Sequence, residues 1–393
     1  MISIRECISE TELISIRNKH IDFVSIEVDK RIDFYINLFM SINSFSIETK
    51  EITIKNSVNK FINSKQYVPF IKIIFANQKK FGKTKYLNLK KTELFKTKAQ
   101  NVNLVIEKLE NLKSKNKLIL GLDLSFGSQY KIDYYNHLKD SYFEPIDFLI
   151  NKIFDYENWF LNLDPNRVWG PYQLTKSLGI KVCSYCNRQY TFSLSKGKNK
   201  IARPELDHFL PKNENPLLSL SFFNLIPSCT ICNRDCKGKK SFSYQTHFSP
   251  YEANSKHELI KYDYYPKTYL GSIGETDEFR IFVKNDGAKL SPELKAKIDG
   301  NTKVFELNTI VNEHKDVVQE IIKKRHISND NYIETLQKTF PEAKLTLEEA
   351  YRLAYGNFYD EKEFNKRPLA KLTKDIAVSI GSLKKYNVFR KHR

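Results

Sequence analysis

Two Cys-x-x-Cys pairs, Cys183 with Cys186 and Cys229 with Cys232, carry the most specific chemistry in this chain. One pair is a weak signal, but two supply four thiolates, the usual complement of a closed tetrahedral zinc site. Between the pairs stand Asp207-His208 and Asn224-Leu225, and Asn233 follows directly on the second pair. None of these polar residues is needed to hold zinc. The spacing therefore predicts a zinc-stapled loop structure that presents a second, hydrolytic metal site.

Phosphodiester hydrolysis needs an activated water, neutralisation of charge on the phosphoryl oxygens and stabilisation of the leaving oxygen. His208 suits the first of these needs, because an imidazole with a pKa near ~6.5 takes a proton at neutral pH without being permanently charged. Asp207 offers a carboxylate to a hard divalent cation, and Asn233 adds an amide oxygen as a neutral second ligand. Such oxygen donors favour magnesium or manganese. Asn224 is the candidate for holding the His208 segment in orientation. Each residue also has a plainer reading: a solvated Asp-His turn, two asparagines capping turns or a helix, and a zinc ribbon without catalysis. Co-occurrence in one short stretch weighs against that reading.

Pro211, three residues after the histidine, and a Cys-x-x-Cys-Asn-x-x-x-Lys ending from Cys229 to Lys237 complete a pattern that resembles the HNH, or ββα-metal, nuclease family. The resemblance covers 183 to 240 of the 393 residues. It implies that Asp207-His208 ends one strand, that Asn224-Leu225 opens the next, and that Asn233 lies early in the following helix. It also implies that Asn224 hydrogen-bonds the histidine's own segment. Many members carry histidine as the last metal ligand, where this chain has Asn233. The zinc-containing ending is similar to bacterial restriction and anti-phage defence nucleases. That likeness implies DNA as the favoured substrate and an ATPase or other defence subunit as partner. Two alternatives stand beside it: a catalytically inactive zinc module that binds nucleic acid, and an RNA-directed nuclease acting with a partner ATPase.

A formal net charge of +18 points to a polyanionic partner. Lysine is abundant throughout, as in chains encoded by AT-rich genomes, so its distribution counts for more than its total. Residues 181 to 240 hold 11 Lys or Arg against 4 Asp or Glu. Lys196, Lys198, Lys200 and Arg203 precede the Asp-His pair, and Arg234, Lys237, Lys239 and Lys240 follow Asn233, as backbone phosphate binding would require. Five of the six cysteines lie in this stretch, which argues for metal over disulfides and for a reducing, cytoplasmic compartment. Cys236 is read as a packed thiol, Cys7 has no partner pattern, and His247 and His257 are read as surface or structural residues. No signal peptide or membrane span is expected.

The elements that must position these groups read as an α+β chain: a zinc-stapled nuclease finger at 176–250, a helical region at 1–175 for partner or substrate binding, and a mainly helical region at 251–393 with a basic tail. Periodicity predicts helices over 101–112, 145–163, 309–325, 331–340, 347–355 and 368–380. Strands are expected at 190–194, 205–209 and 279–283, the last followed by a turn at 285–287. A lysine-rich turn at 195–200 and a helix at 230–237 complete the finger, and breakers at 164–166 and 169–171 mark the linker into it.

Overall fold

Leu13, Ile16, His20, Val24, Val28, Ile32 and Ile36 recur at three- and four-residue intervals, and all are buried along α1, the helix Glu10–Asn43. The computed structural model describes residues 1–43, 91–125, 129–143, 146–162, 168–197, 199–252, 260–284, 290–328, 332–339 and 341–381. The expected stripe Val102, Val105, Leu109 and Leu112 is wholly buried within a longer helix, α2, Lys91–Leu120. Polar bonds register the two helices: Asn116 Nδ2 donates to the Ser25 carbonyl and to Asp29 Oδ1, each at 3.1 Å.

After α3, Gln129–Phe143, the helix expected over 145–163 is interrupted. It consists of α4, Asp147–Ile153, and a separate π-helical turn, Tyr156–Phe160. Asp155 between them caps the turn by accepting the Asn158 amide at 2.9 Å, so its short carboxylate restarts the backbone ladder. The breaker at 169–171 begins α5, Pro171–Leu178, which closes on Gly179 at φ 62°, a left-handed position suited to glycine. The breaker at 164–166 lies outside the described residues.

Of the strand expected at 190–194, only its ends pair: Tyr190 bridges Val182, and Leu194 opens a strand. The extended pairing begins at β1, Leu194–Lys196, which runs against β2, Asn199–Ala202, with an irregularity after Leu194. The stretch expected to be a lysine-rich turn therefore supplies most of a hairpin. β3, Glu205–His208, pairs antiparallel with β4, Leu225–Ser228, placing Asp207 opposite Ile226 and His208 opposite Leu225. Their connection buries Phe209, Leu217, Leu218, Leu220, Phe222 and Phe223, so it is a packed insertion rather than a surface loop. α6, Ile231–Lys237, follows β4 and is wound as a π-helix.

β5, Lys261–Pro266, was not expected from sequence, and it pairs with β6, Phe279–Lys284. The turn expected at 285–287 lies outside the described residues. Next come α7, Pro292–Val304, also unforeseen, then α8, Leu307–Asn312, and α9, Lys315–Ser328. The last two replace the single helix expected over 309–325. Asn308 and Asn312 of α8 accept the Val283 and Ile281 amides at 2.7 and 3.0 Å, satisfying the open edge of β6. α10, Tyr332–Thr339, α11, Leu347–Tyr355, and α12, Ala370–Ser379, match their expected helices closely.

The architecture is α+β, with three two-stranded antiparallel sheets among helices in the described residues. Apolar packing runs continuously from Met1 to Ala377. The regions flanking the cysteine stretch dock on it directly: the Ile2 amide donates to the Ser184 carbonyl at 2.9 Å, and the Leu369 amide donates to the Asn187 carbonyl at 2.6 Å. Among the described residues, no helix is long and apolar enough to cross a membrane.

A candidate metal centre and its basic groove

The four predicted cysteines converge: all four are buried, and their Sγ atoms lie within 4.8 Å of one another. A tetrahedron with ~2.3 Å zinc–sulfur bonds has edges of about 3.8 Å, so a small contraction seats the ion. No disulfide joins them. Cys236 stands outside the cluster, packed against the core as expected of a thiol. Backbone geometry supports the ligand role. The Cys232 amide donates to Cys229 Sγ at 3.4 Å, and Asn187, at φ 52°, turns the first knuckle so that its amide returns to the Cys183 carbonyl at 2.9 Å. Burial pushes the Cys183 thiol well above its ordinary range, while donation from Cys183 pulls Cys186 well below its own. A cation that replaces the protons suits this crowded set.

Both cysteine pairs also reach the strand that carries Asp207 and His208. Tyr185, inside the first knuckle, donates its hydroxyl to Asp207 Oδ2 at 2.6 Å while its ring stacks on Phe305 at 4.1 Å. Lys237, at the end of the helix that contains Cys232, places Nζ 2.7 and 2.9 Å from the two Asp207 oxygens and also donates to the His208 carbonyl. This ion pair is almost solvent-free, with side-chain exposures of 2% and 4%. Burial lowers the Lys237 pKa, and the Asp207 charge opposes that shift. An ammonium thus bridges the carboxylate at the position where a cation ligated by Asp207 would stand.

Among the described residues, the side-chain hydrogen bond of Asn233 goes to Glu205 and not to Asp207. Its Nδ2 donates to Glu205 Oε2 at 2.7 Å, which turns the amide oxygen away from Glu205. Arg234 pairs with the other Glu205 oxygen at 2.5 Å. Glu205 and Asp207 are two residues apart on β3 and so share a face of the strand. Sequence reading missed Glu205, although its i−2 position relative to Asp207 was a usable signal.

His208 is fixed from one side. Its Nε2 lies 2.9 Å from the Ser219 carbonyl, and because a carbonyl only accepts, Nε2 carries the proton and Nδ1 is left as the basic nitrogen. Burial brings the imidazole down to about 4, against the upward pull of the Ser219 carbonyl and Asp207, so the ring is neutral at pH 7. Tyr156 packs edge-on against it, with ring centroids 4.4 Å apart. Asn224 is hydrogen-bonded to this segment. Its Oδ1 accepts the Leu210 amide at 2.7 Å, and Nδ2 donates to the Leu210 and Leu218 carbonyls at 3.1 Å each. These three bonds close the insertion that carries Ser219.

A groove of about 740 Å³ opens over this strand, lined by Glu205, Asp207, His208 and Asn233 and by the cations Arg203, Lys212, Arg234, Lys237 and Lys239. Arg203 and Arg234 are thus where the sequence reading put them. Lys237 differs, because its ammonium is sequestered by Asp207 rather than offered to a ligand. Lys196 is exposed on β1, and Lys200 approaches the Tyr172 ring at 5.8 Å. Lys198 lies outside the described residues, as does His257. His247 is buried and stacked on Phe242 at 3.8 Å, a structural residue as expected. Lys212 was missed although it directly follows Pro211, and Lys239 is one of the cations read as following Asn233. The chain matches no family model, no curated protein and no solved structure.

Proposed function

We propose that this protein is a metal-dependent phosphodiesterase of the HNH type, acting on nucleic acid from the groove above β3. The observation that carries the reading is the placement of the His208 ring. Its Nε2–H is spent on a backbone carbonyl, and it stands beside a carboxylate in a groove lined by cations. His208 Nδ1 would take a proton from the attacking water. Arg203, Lys212, Arg234 and Lys239 would bind the phosphate backbone, and Asn224 would keep the imidazole aimed. Asp207 and Asn233 would hold magnesium or manganese, which when bound supplies charge neutralisation for the phosphoryl oxygens. The four cysteines would hold structural zinc. DNA is the preferred substrate by family resemblance, and a role in bacterial defence beside an ATPase partner rests on that resemblance alone.

The test is zinc-loaded protein incubated with plasmid DNA, single-stranded DNA and total RNA, with and without magnesium or manganese. Cleavage that needs the added metal and disappears in His208→Ala, with zinc content unchanged, is the expected result. Cleavage by His208→Ala at the wild-type rate would sink the assignment. One observation favours a second reading, a nucleic-acid-binding module without catalysis: Lys237 already occupies both Asp207 oxygens. Binding without cleavage of any substrate, in either metal, would decide for it.

A further inference from the structure

Tyr190 and Phe192 form a stacked pair left in solvent, with ring centroids 4.6 Å apart, planes inclined by 20°, and exposures of 49% and 41%. The chain alternates there. Thr191 is buried and Ser193 bonds Thr175 Oγ1 at 2.8 Å, so the residues on either side face outward. Leu194 extends the row, and Ile201 is exposed on the adjoining strand β2. Large rings exposed together, where most aromatic side chains among the described residues are buried, call for a ligand.

The charge around them identifies its class. From 165 to 204 the sequence holds no acidic residue, against Arg167, Lys176, Lys181, Arg188, Lys196, Lys198, Lys200 and Arg203. Lys196 is exposed on β1, Lys200 belongs to β2, and Arg203 lines the His208 groove together with Ile201 and Ala202. A protein partner seated on two aromatic rings needs no such one-signed stretch of sequence. Single-stranded nucleic acid needs both features, flat faces for its bases and cations for its phosphates.

We infer that Tyr190 and Phe192 are a stacking platform for unpaired bases, and that the attached backbone follows the hairpin cations into the groove. The substrate is then single-stranded, or carries an unpaired segment beside the bond to be cut. This rests on the groove being a nucleic-acid site, but not on its being catalytic.

The experiment measures binding of the zinc-loaded full chain to fluorescent oligothymidine, oligouridine and a blunt duplex, without added magnesium or manganese. In Tyr190→Ser/Phe192→Ser, affinity for both single strands is expected to fall by at least about tenfold. Duplex affinity and the salt dependence of binding should hold, because no phosphate contact is removed. Tyr190→Trp/Phe192→Trp, which keeps the ring faces, should bind single strands as the wild type does. An unchanged single-strand affinity in the serine variant overturns the inference. So does an equal loss on duplex, or normal nucleic-acid binding combined with a lost self-association in ultracentrifugation, which would make the face a protein interface. Cleavage is scored separately. A platform effect without cleavage defeats the phosphodiesterase reading alone, and cleavage with no platform effect defeats only this one.

Discussion

Replacing Lys237 by methionine tests whether Asp207 is built to hold a cation. Lys237 contributes the only positive charge within bonding distance of the Asp207 carboxylate among the described residues, at 2.7 and 2.9 Å, with both side chains nearly solvent-free. Without it, the carboxylate keeps one neutral donor, the Tyr185 hydroxyl. Removing one partner of a buried pair costs about 3–5 kcal/mol, most of it the uncompensated charge left behind. A divalent cation can supply that compensation. At a magnesium concentration 100 times its dissociation constant, binding stabilises the fold by about 2.7 kcal/mol, enough to recover half or more of the loss. The wild type should gain less, because the ion must first displace the ammonium. Urea unfolding of zinc-loaded wild type, Lys237→Met and the exposed control Lys239→Met, each with and without magnesium, reads these terms. A loss below ~1 kcal/mol, or equal stabilisation of all three proteins by magnesium, refutes the reasoning.

Cys183→Ser should lose zinc and, through Tyr185, disturb Asp207, while His208→Ala should keep zinc; metal analysis of the two purified variants checks this. Asn224→Ala leaves the buried Leu210 amide and carbonyl and the Leu218 carbonyl without their partner and should destabilise the protein by about 2–4 kcal/mol, with turnover lost more than binding; denaturation and single-turnover kinetics separate the two effects. Glu205→Ala should free the Asn233 amide to rotate and raise the metal concentration needed for half-maximal activity several-fold, read by magnesium titration. His20 is buried and neutral, accepting from Trp169 Nε1 at 3.2 Å, and burial lowers it to about 4. Its folded pKa lies below the unfolded ~6.5, so the unfolded chain binds the extra proton and this stability is full above pH ~6.5. It falls away towards pH 4, by about 3 kcal/mol, and His20→Phe should flatten that slope in pH-dependent unfolding.

Much of the site was readable because its residues are tied to motifs at short range. The cysteine cluster follows from spacing and β3 from its residue pattern, whereas the strand opening at Leu225 and the Asn224 bonds were implied by the family resemblance. Residues that act across the fold were not readable. Tyr156 reaches His208 from 52 positions away. Helices with a clean apolar stripe, such as 101–112 and 347–355, were legible by periodicity. The 145–163 helix failed at Asp155, where a cap competes with the ladder, and β5 escaped because YDYYP alternates poorly. Lys237 shows the limit most clearly. Its type and position predicted a phosphate ligand, yet burial beside Asp207 decided its role.

Asn187 carries an implication for which sequences can build this fold. Its backbone is left-handed, its Nδ2 donates to the Phe364 carbonyl at 2.8 Å, its Oδ1 accepts the Lys371 amide at 3.0 Å, and its own carbonyl accepts the Leu369 amide. Glycine would keep the turn and lose both side-chain bonds. Aspartate would aim a carboxylate at a carbonyl, and alanine would satisfy neither demand. Asparagine alone meets all three. The residue after the first knuckle is therefore the position by which a distant relative sharing this C-terminal docking, and not merely a cysteine cluster, can be recognised.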